Sequence, residues 1–273
     1  MLVISTLLTV VGCTALMVII VFQGIFSPAK VDLGHEHYGE KADFAIGPFK
    51  LPAWMGFAMP LNALVNAGYS LVGLAWVLRT YLARRRGEVG ELQAYFAYTF
   101  AWMCILYGPV QFWRIISQTH ESAVLDQWVT LPFFAWAILW CKALTVGWNR
   151  EVTAMLMLSS ILSYNLVFFT EFGFEIALVI HSVHTASTGF ATNRQYPCKG
   201  NNFALFMCGL TYVNFVVFKV MDLHLPHYSE FFTEVSGHFI SKLFGDVALG
   251  HFAFLFFENL AKKQQVESSK KVK

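Results

Sequence analysis

The sequence predicts an all-α polytopic membrane protein, a helical bundle crossing the bilayer about eight times, and three observations carry that prediction. Of the 273 residues, 56% are hydrophobic and only 13% are charged, where soluble domains carry about a quarter of their residues as charges. The 27 Phe and 8 Trp exceed what a soluble core of this size can hide, whereas hydrocarbon and the headgroup boundary stabilise both. Apolar runs of about 20 residues, the length that crosses hydrocarbon, recur along the whole chain between charges, Pro or Gly.

The run 2–26 is uninterrupted. It is longer than the roughly 7–15 apolar residues of a signal-peptide core and no basic region precedes it, so it reads as a retained first helix. The run 53–82 ends against Arg84, Arg85 and Arg86. Spans at 92–113, 124–146, 152–170, 174–192 and 203–221 follow on short connections. The eighth, 236–260, is interrupted by Lys242, Asp246 and His251. Residues 262–273 are polar and basic and read as a disordered tail. Short loops rich in Lys and Arg stay cytoplasmic. The Arg84 to Arg86 cluster therefore sets one loop inside, and alternation puts Lys142, Arg150, Arg194, Lys199 and the tail with it. Both termini are then expected to be cytoplasmic. The final Lys270-Lys271-Val272-Lys273 resembles the dilysine signal of endoplasmic reticulum residents, which points to the endoplasmic reticulum or Golgi.

Several functions are disfavoured at once. A net charge of +2 gives no nucleic-acid footprint, and no basic stripe alternates with stacking aromatics. Cys13, Cys104, Cys141, Cys198 and Cys208 show no metal-binding spacing and read as packing residues. There is no nucleophile elbow, GxGxxG, Walker loop or HExxH, so any catalysis would need assembled geometry, and the reading leans away from an enzyme.

Ionisable residues facing lipid cost a few kcal/mol or more, so they normally point into a bundle and mark a site. Glu234, His238, Lys242 and Asp246 recur every four residues, which on an α-helix makes one polar face and allows a Lys242–Asp246 ion pair. His181, His184 and Thr188 share a face of the sixth span, and Asn62, Asn66, Tyr69 and Gly73 a face of the second. Tyr107, Gln111 and Arg114 lie on the third, and Asp126 and Thr130 open the fourth. A rise of 1.5 Å per residue sorts these into two layers. Gln111, Arg114, Asp126, Glu175 and His238 fall near the outer helix ends, with an Arg114–Asp126 pair expected. Asn62, Asn66, His181, His184, Lys242 and Asp246 fall nearer the midplane. The expected binding set is Gln111, Arg114, Asp126, His181, His184, His238, Lys242 and Asp246. No cofactor is expected. A zinc site could draw only on His181, His184 and His238, whose depths disagree, and His35, His37, His224 and His227 read as solvated loop residues.

Certain stretches carry a likeness to known proteins. They are Tyr-Gly-Pro-Val-Gln at 107–111, Val-Leu-Asp-Gln-Trp at 124–128 followed by Thr-Leu-Pro, and Gly-His-Phe at 237–239. His37-Tyr38, Met59-Pro60, the 62–69 stretch, Gly173-Phe174-Glu175 and 251–255 join them. In these the chain resembles the vertebrate transmembrane protein 187 family, which lends no established molecular function. A more distant likeness reaches the seven-helix superfamily of alkaline ceramidases and adiponectin receptors, whose zinc is held by a Ser, an Asp and three His. It implies that spans two to eight form a common core, with Asp126 and His238 at two of the zinc positions. Lys242 then stands at the second His of the final HxxxH, Ile115 at another His and Gln111 at the Ser, which implies an architecture kept and a hydrolase site lost.

The sequence thus predicts a non-enzymatic membrane protein whose polar intramembrane pocket takes a lipid or small amphiphile. The alternatives are a divergent metal-dependent lipid amidohydrolase of the ceramidase type and a purely structural membrane component. Membrane lipid is the expected partner, and nucleic acid is not.

Overall fold

Among the described residues, two long proline-containing helices are the most deeply buried. The computed structural model describes residues 1–40, 45–46, 49–50 and 59–271. In order these form α1 (Leu2–Phe22), a short antiparallel pair β1 (Ala45–Ile46) and β2 (Phe49–Lys50), α2 (Pro60–Leu64), α3 (Ala67–Arg85), α4 (Glu91–Ser117) and α5 (His120–Thr145). There follow α6 (Arg150–Ser163) with a 3-10 extension (Tyr164–Phe168), α7 (Gly173–Gln195), α8 (Asn201–Met221), α9 (Phe231–Glu234) and α10 (Gly237–Ile240). A π-helix (Ser241–Val247) and α11 (Ala248–Lys271) end the fold.

Among the described residues, six segments are long and apolar enough to cross a membrane: Leu2–Phe22, Pro60–Arg85, His120–Thr145, Arg150–Phe168, Asn201–Met221 and Gly237–Lys270. With 27 and 23 residues, α4 and α7 have spanning length but carry more polar side chains, among them Gln93, Gln111 and Arg114 in the first and His181, His184 and Arg194 in the second. The predicted start of the second span, 53–58, lies outside the described residues. The 262–271 stretch, expected to be irregular, continues α11 instead. Lys262 pairs with Glu88 at 3.1 Å and Glu258 at 3.2 Å, and Lys263 with Glu267 at 3.7 Å, which supports helix where composition alone predicts none.

Helices α4 and α5 are buried along most of their length, and α1, α3 and α11 all touch α4. Small residues bring α3 onto it: a Cβ on Gly73 would sit 2.6 Å from the Ala101 carbonyl, and one on Gly108 2.7 Å from the Asn66 carbonyl, the close approach that holds membrane helices together by packing. Pro109 removes the N–H that would bond the Ile105 carbonyl, and Ser70 of α3 donates to that carbonyl at 2.9 Å. A stacked aromatic core lies deeper, with Trp140 on Phe257 at 4.2 Å and Trp76 on Phe254 at 4.8 Å. Gly147, at φ +90, takes the left-handed backbone that releases the chain between α5 and α6.

The start of α1 meets the first half of α4, where Trp102 donates to the Val3 carbonyl, and its end meets the end of α4, where Phe22 stacks on Trp113. Successive long helices therefore alternate in direction. The first turn of α1, the Arg84 to Arg86 cluster and Lys262 share one end of the bundle, and Tyr38, Met59 and His238 share the other.

Candidate functional site

The polar side chains predicted to face inward do so chiefly where α2, α3, α4, α5 and the π-helix meet. At its centre the Lys242 ammonium donates to Asn66 Oδ1 at 3.0 Å and to Gln111 Oε1. Gln111 Nε2 in turn donates to Asp126 Oδ1 and to the Tyr107 hydroxyl, the latter at 2.6 Å. Tyr107 also lies within hydrogen-bond reach of Asp126 and Thr130. Beside them the Tyr69 hydroxyl donates to Asp246 Oδ2 at 2.6 Å, and the Tyr69 and Tyr107 rings meet edge-on with centroids 4.9 Å apart. One continuous array therefore joins four spans.

Two expected ion pairs are replaced by other partners. The Lys242 ammonium goes to the amide oxygens of Asn66 and Gln111, not to Asp246. Arg114 donates to the Asp32 carbonyl, and Asp126 is taken by Gln111 and Tyr107. The four-residue ladder also loses its first rung. Glu234 belongs to the separate helix α9 and is exposed, and Ser241–Val247 is π-helical, so its i→i+5 bonding breaks the α periodicity. The two histidines of α7 stand apart as well: His181 bonds Ser160 of α6 at 3.0 Å and the Ala177 carbonyl, while His184 is exposed.

Above the array, at the Tyr38 end, two loop carboxylates organise the backbone. Glu40 accepts from the Leu61 and Asn62 N–H groups at 2.8 and 2.9 Å, the open N-terminus of α2. Asp222, just past α8, accepts from the N–H of Gly39 at 2.8 Å and of His238 at 2.7 Å. Burial pushes the Glu40 carboxyl up to about 7 against those backbone bonds, and burial raises Asp222 too. Asn62 Nδ2 donates to the Ser236 hydroxyl, which also caps α10 through the Phe239 N–H. Sequence reasoning missed Glu40, Asp222 and Ser236. The only available signal was Ser236 immediately before a helical run, a usual N-cap.

Three polar atoms gathered here are buried without a partner among the described residues: Asn62 Oδ1, Arg114 Nη1 and His238 Nε2. Tyr38 joins them. Its ring lies edge-on to His238 at 4.9 Å and against Met59, Ala63 and Ile115. Burial raises its phenol, and the Arg114 guanidinium pulls it back. Such orphans are few in native proteins. Among the described residues no three His, Cys, Asp or Glu side chains gather as a metal site would require.

The residues of this array include the stretches quoted above, and comparison with known proteins follows the same line. The chain is 40% identical over 241 residues to human Transmembrane protein 187, covering 88% of this chain and 87% of that one. It is 37% identical over 248 residues to Transmembrane protein 187 of Bos taurus, covering 90% and 93%. No solved structure matches. The family model described as the TMEM187 protein family matches residues 6–258, a range containing every element of the array from Asn62 to Asp246, and the chain therefore belongs to that family of multi-pass membrane proteins.

Proposed function

We propose that the Tyr38 end of the bundle binds the polar head of a lipid or small amphiphile, as a receptor, carrier or scaffold without a catalytic step. The observation that supports this most is the set of three unpartnered polar atoms around Tyr38. Together they offer one cationic donor from Arg114, an imidazole nitrogen and an amide acceptor, a combination suited to a head group that bears oxygen and can also donate. Beneath them the Lys242, Gln111, Asp126 and Asp246 array is hydrogen-bonded within itself and serves as a fixed floor. His181 and His184 belong to other surfaces and leave the binding set.

Mass spectrometry of lipid extracts from the purified protein tests this reading. A co-purifying amphiphile is expected at about one per chain, reduced at least tenfold in Arg114→Gln, since a hydrogen bond to a charged group contributes about 1.5–3 kcal/mol. Extracts of wild type and variant that differ in no component would sink the proposal.

For sidedness, the basic residues Arg84, Arg85, Arg86, Lys262 and Lys263 share one end of the bundle, which supports a cytoplasmic location for that end and for both termini. A C-terminal epitope should stain in cells whose plasma membrane alone is permeabilised. Staining only after the internal membranes are opened would reverse the orientation.

A further inference from the structure

The opposite end of the bundle holds a second, independent feature. Between the first turn of α1 and the last turns of α3 lies an open cavity of about 300 Å³, lined by Met1, Leu2, Val3, Tyr81, Arg84, Arg85 and Tyr98. Both helices rest on α4, which supplies the Tyr98 floor, and the Trp102 bond to the Val3 carbonyl fixes the α1 wall.

The chemistry of the lining is that of a membrane boundary. Arg84 and Arg85 sit where the apolar run of α3 ends, and tyrosines at this depth place a ring in the acyl region and a hydroxyl among the headgroups. Neither arginine is committed to a close partner. Arg84 has only a 3.7 Å contact with Glu91, itself largely exposed, and Arg85 lies over the Tyr81 ring at 5.2 Å. Arg86 differs, being held by Glu88 at 2.5 Å away from the cavity. Leading away from the cavity, Ile4 and Leu8 on α1 and Leu74, Leu78 and Leu82 on α3 are exposed apolar residues. They belong to the exposed apolar surface of the two helices, which acyl chains cover in a bilayer.

We infer that this cavity binds the phosphate of an anionic phospholipid, with Arg84 and Arg85 clamping the headgroup while its acyl chains lie among the exposed apolar residues of α1 and α3. Guanidinium groups match phosphate oxygens in paired hydrogen bonds, and basic pockets between helices at the membrane surface are suited to anionic headgroups.

The test uses the full chain in phosphatidylcholine nanodiscs, with a fluorescent phosphatidic acid as the probe and inorganic phosphate as competitor. The double variant Arg84→Gln with Arg85→Gln should weaken probe binding roughly thirtyfold, the effect of two basic side chains near a membrane surface. Arg84→Lys with Arg85→Lys should weaken it less, since the charges remain. Arg86→Gln removes the same kind of charge outside the cavity and should leave binding unchanged. Equal weakening by Arg86→Gln, or full binding by the double Gln variant, would overturn the assignment. Displacement of the probe by millimolar inorganic phosphate would overturn the lipid part and assign the site to a free phosphate. Arg114→Gln should not affect this probe, which separates the inference from the binding proposed at the Tyr38 end.

Discussion

Replacing Lys242 with Met should destabilise the protein by roughly 3–5 kcal/mol, the cost of removing one partner from a buried charged set. Met replaces the four-atom apolar stem of Lys and omits only the ammonium, so the loss is chiefly polar. Without the ammonium, Asn66 Oδ1 and Gln111 Oε1 lose their donor, and a buried cation is removed from an array that also holds Asp126 and Asp246. Unfolding of the purified protein in detergent measures the effect. The double variant Lys242→Met with Asp246→Asn should recover part of the loss, because it removes the opposite charge as well. A single variant as stable as the wild type would show that the array contributes nothing to the fold.

The second large effect concerns pH. Glu40 is nearly inaccessible, and its carboxyl is raised from 4.5 to about 7, chiefly by burial. A carboxyl raised in the folded state holds its proton there after the unfolded chain has lost it. The contribution of Glu40 to stability is therefore greatest below pH 4.5, falls as pH rises through the interval up to about 7, and levels off above it. The shift corresponds to about 3 kcal/mol at most. Asp222, raised in the same direction and adding its own charge to the Glu40 site, steepens the same slope. Glu40→Gln keeps an oxygen acceptor for the N-terminus of α2 and removes the titration. Its unfolding midpoint should exceed that of the wild type at pH 8 and match it near pH 4. Identical slopes in the two proteins between pH 4.5 and 7 would rule out Glu40 as the cause.

Membrane character and the rough course of the helices were legible because both follow from local composition. The 124–146 run became His120–Thr145, and 203–221 became Asn201–Met221, since apolar length and flanking polar residues decide where a helix enters hydrocarbon. Depth alone also brought Gln111 and Asp126 together, because the rise per residue is the same on every helix. Azimuth was harder to read. The i, i+3 spacing of His181 and His184 places both on one flank of α7 without saying which neighbour that flank meets. The answer depends on α7 lying against α5 and α6, where Thr185 reaches the Phe134 carbonyl and His181 reaches Ser160.

Long-range partnerships left no trace in local pattern. Arg79 holds Glu258 through two nitrogens from 179 residues away, with Nη2 to Oε2 at 2.6 Å, yet each reads locally as a charge at a helix end. Glu40 and Asp222 likewise look like solvated loop acids until the chain returns backbone N–H groups to them.

The π-helical stretch of the last span can be understood as one residue more than an α-helix of the same rise would hold. In an α-helix each residue turns the chain by about 100°, so the surplus residue resets the rotation of the N-terminal portion against α11. Gly245 makes room for the wider coil: a Cβ there would meet the Phe215 backbone at 2.7 Å. The C-terminal portion is thereby free to match its aromatic face to α5, with Phe257 stacked on Trp140, while the N-terminal portion independently aims Lys242 at Gln111 and Asn66. A single helix thus carries two unrelated facing requirements, and a one-residue change of length within 241–247 would set them against each other without altering either face.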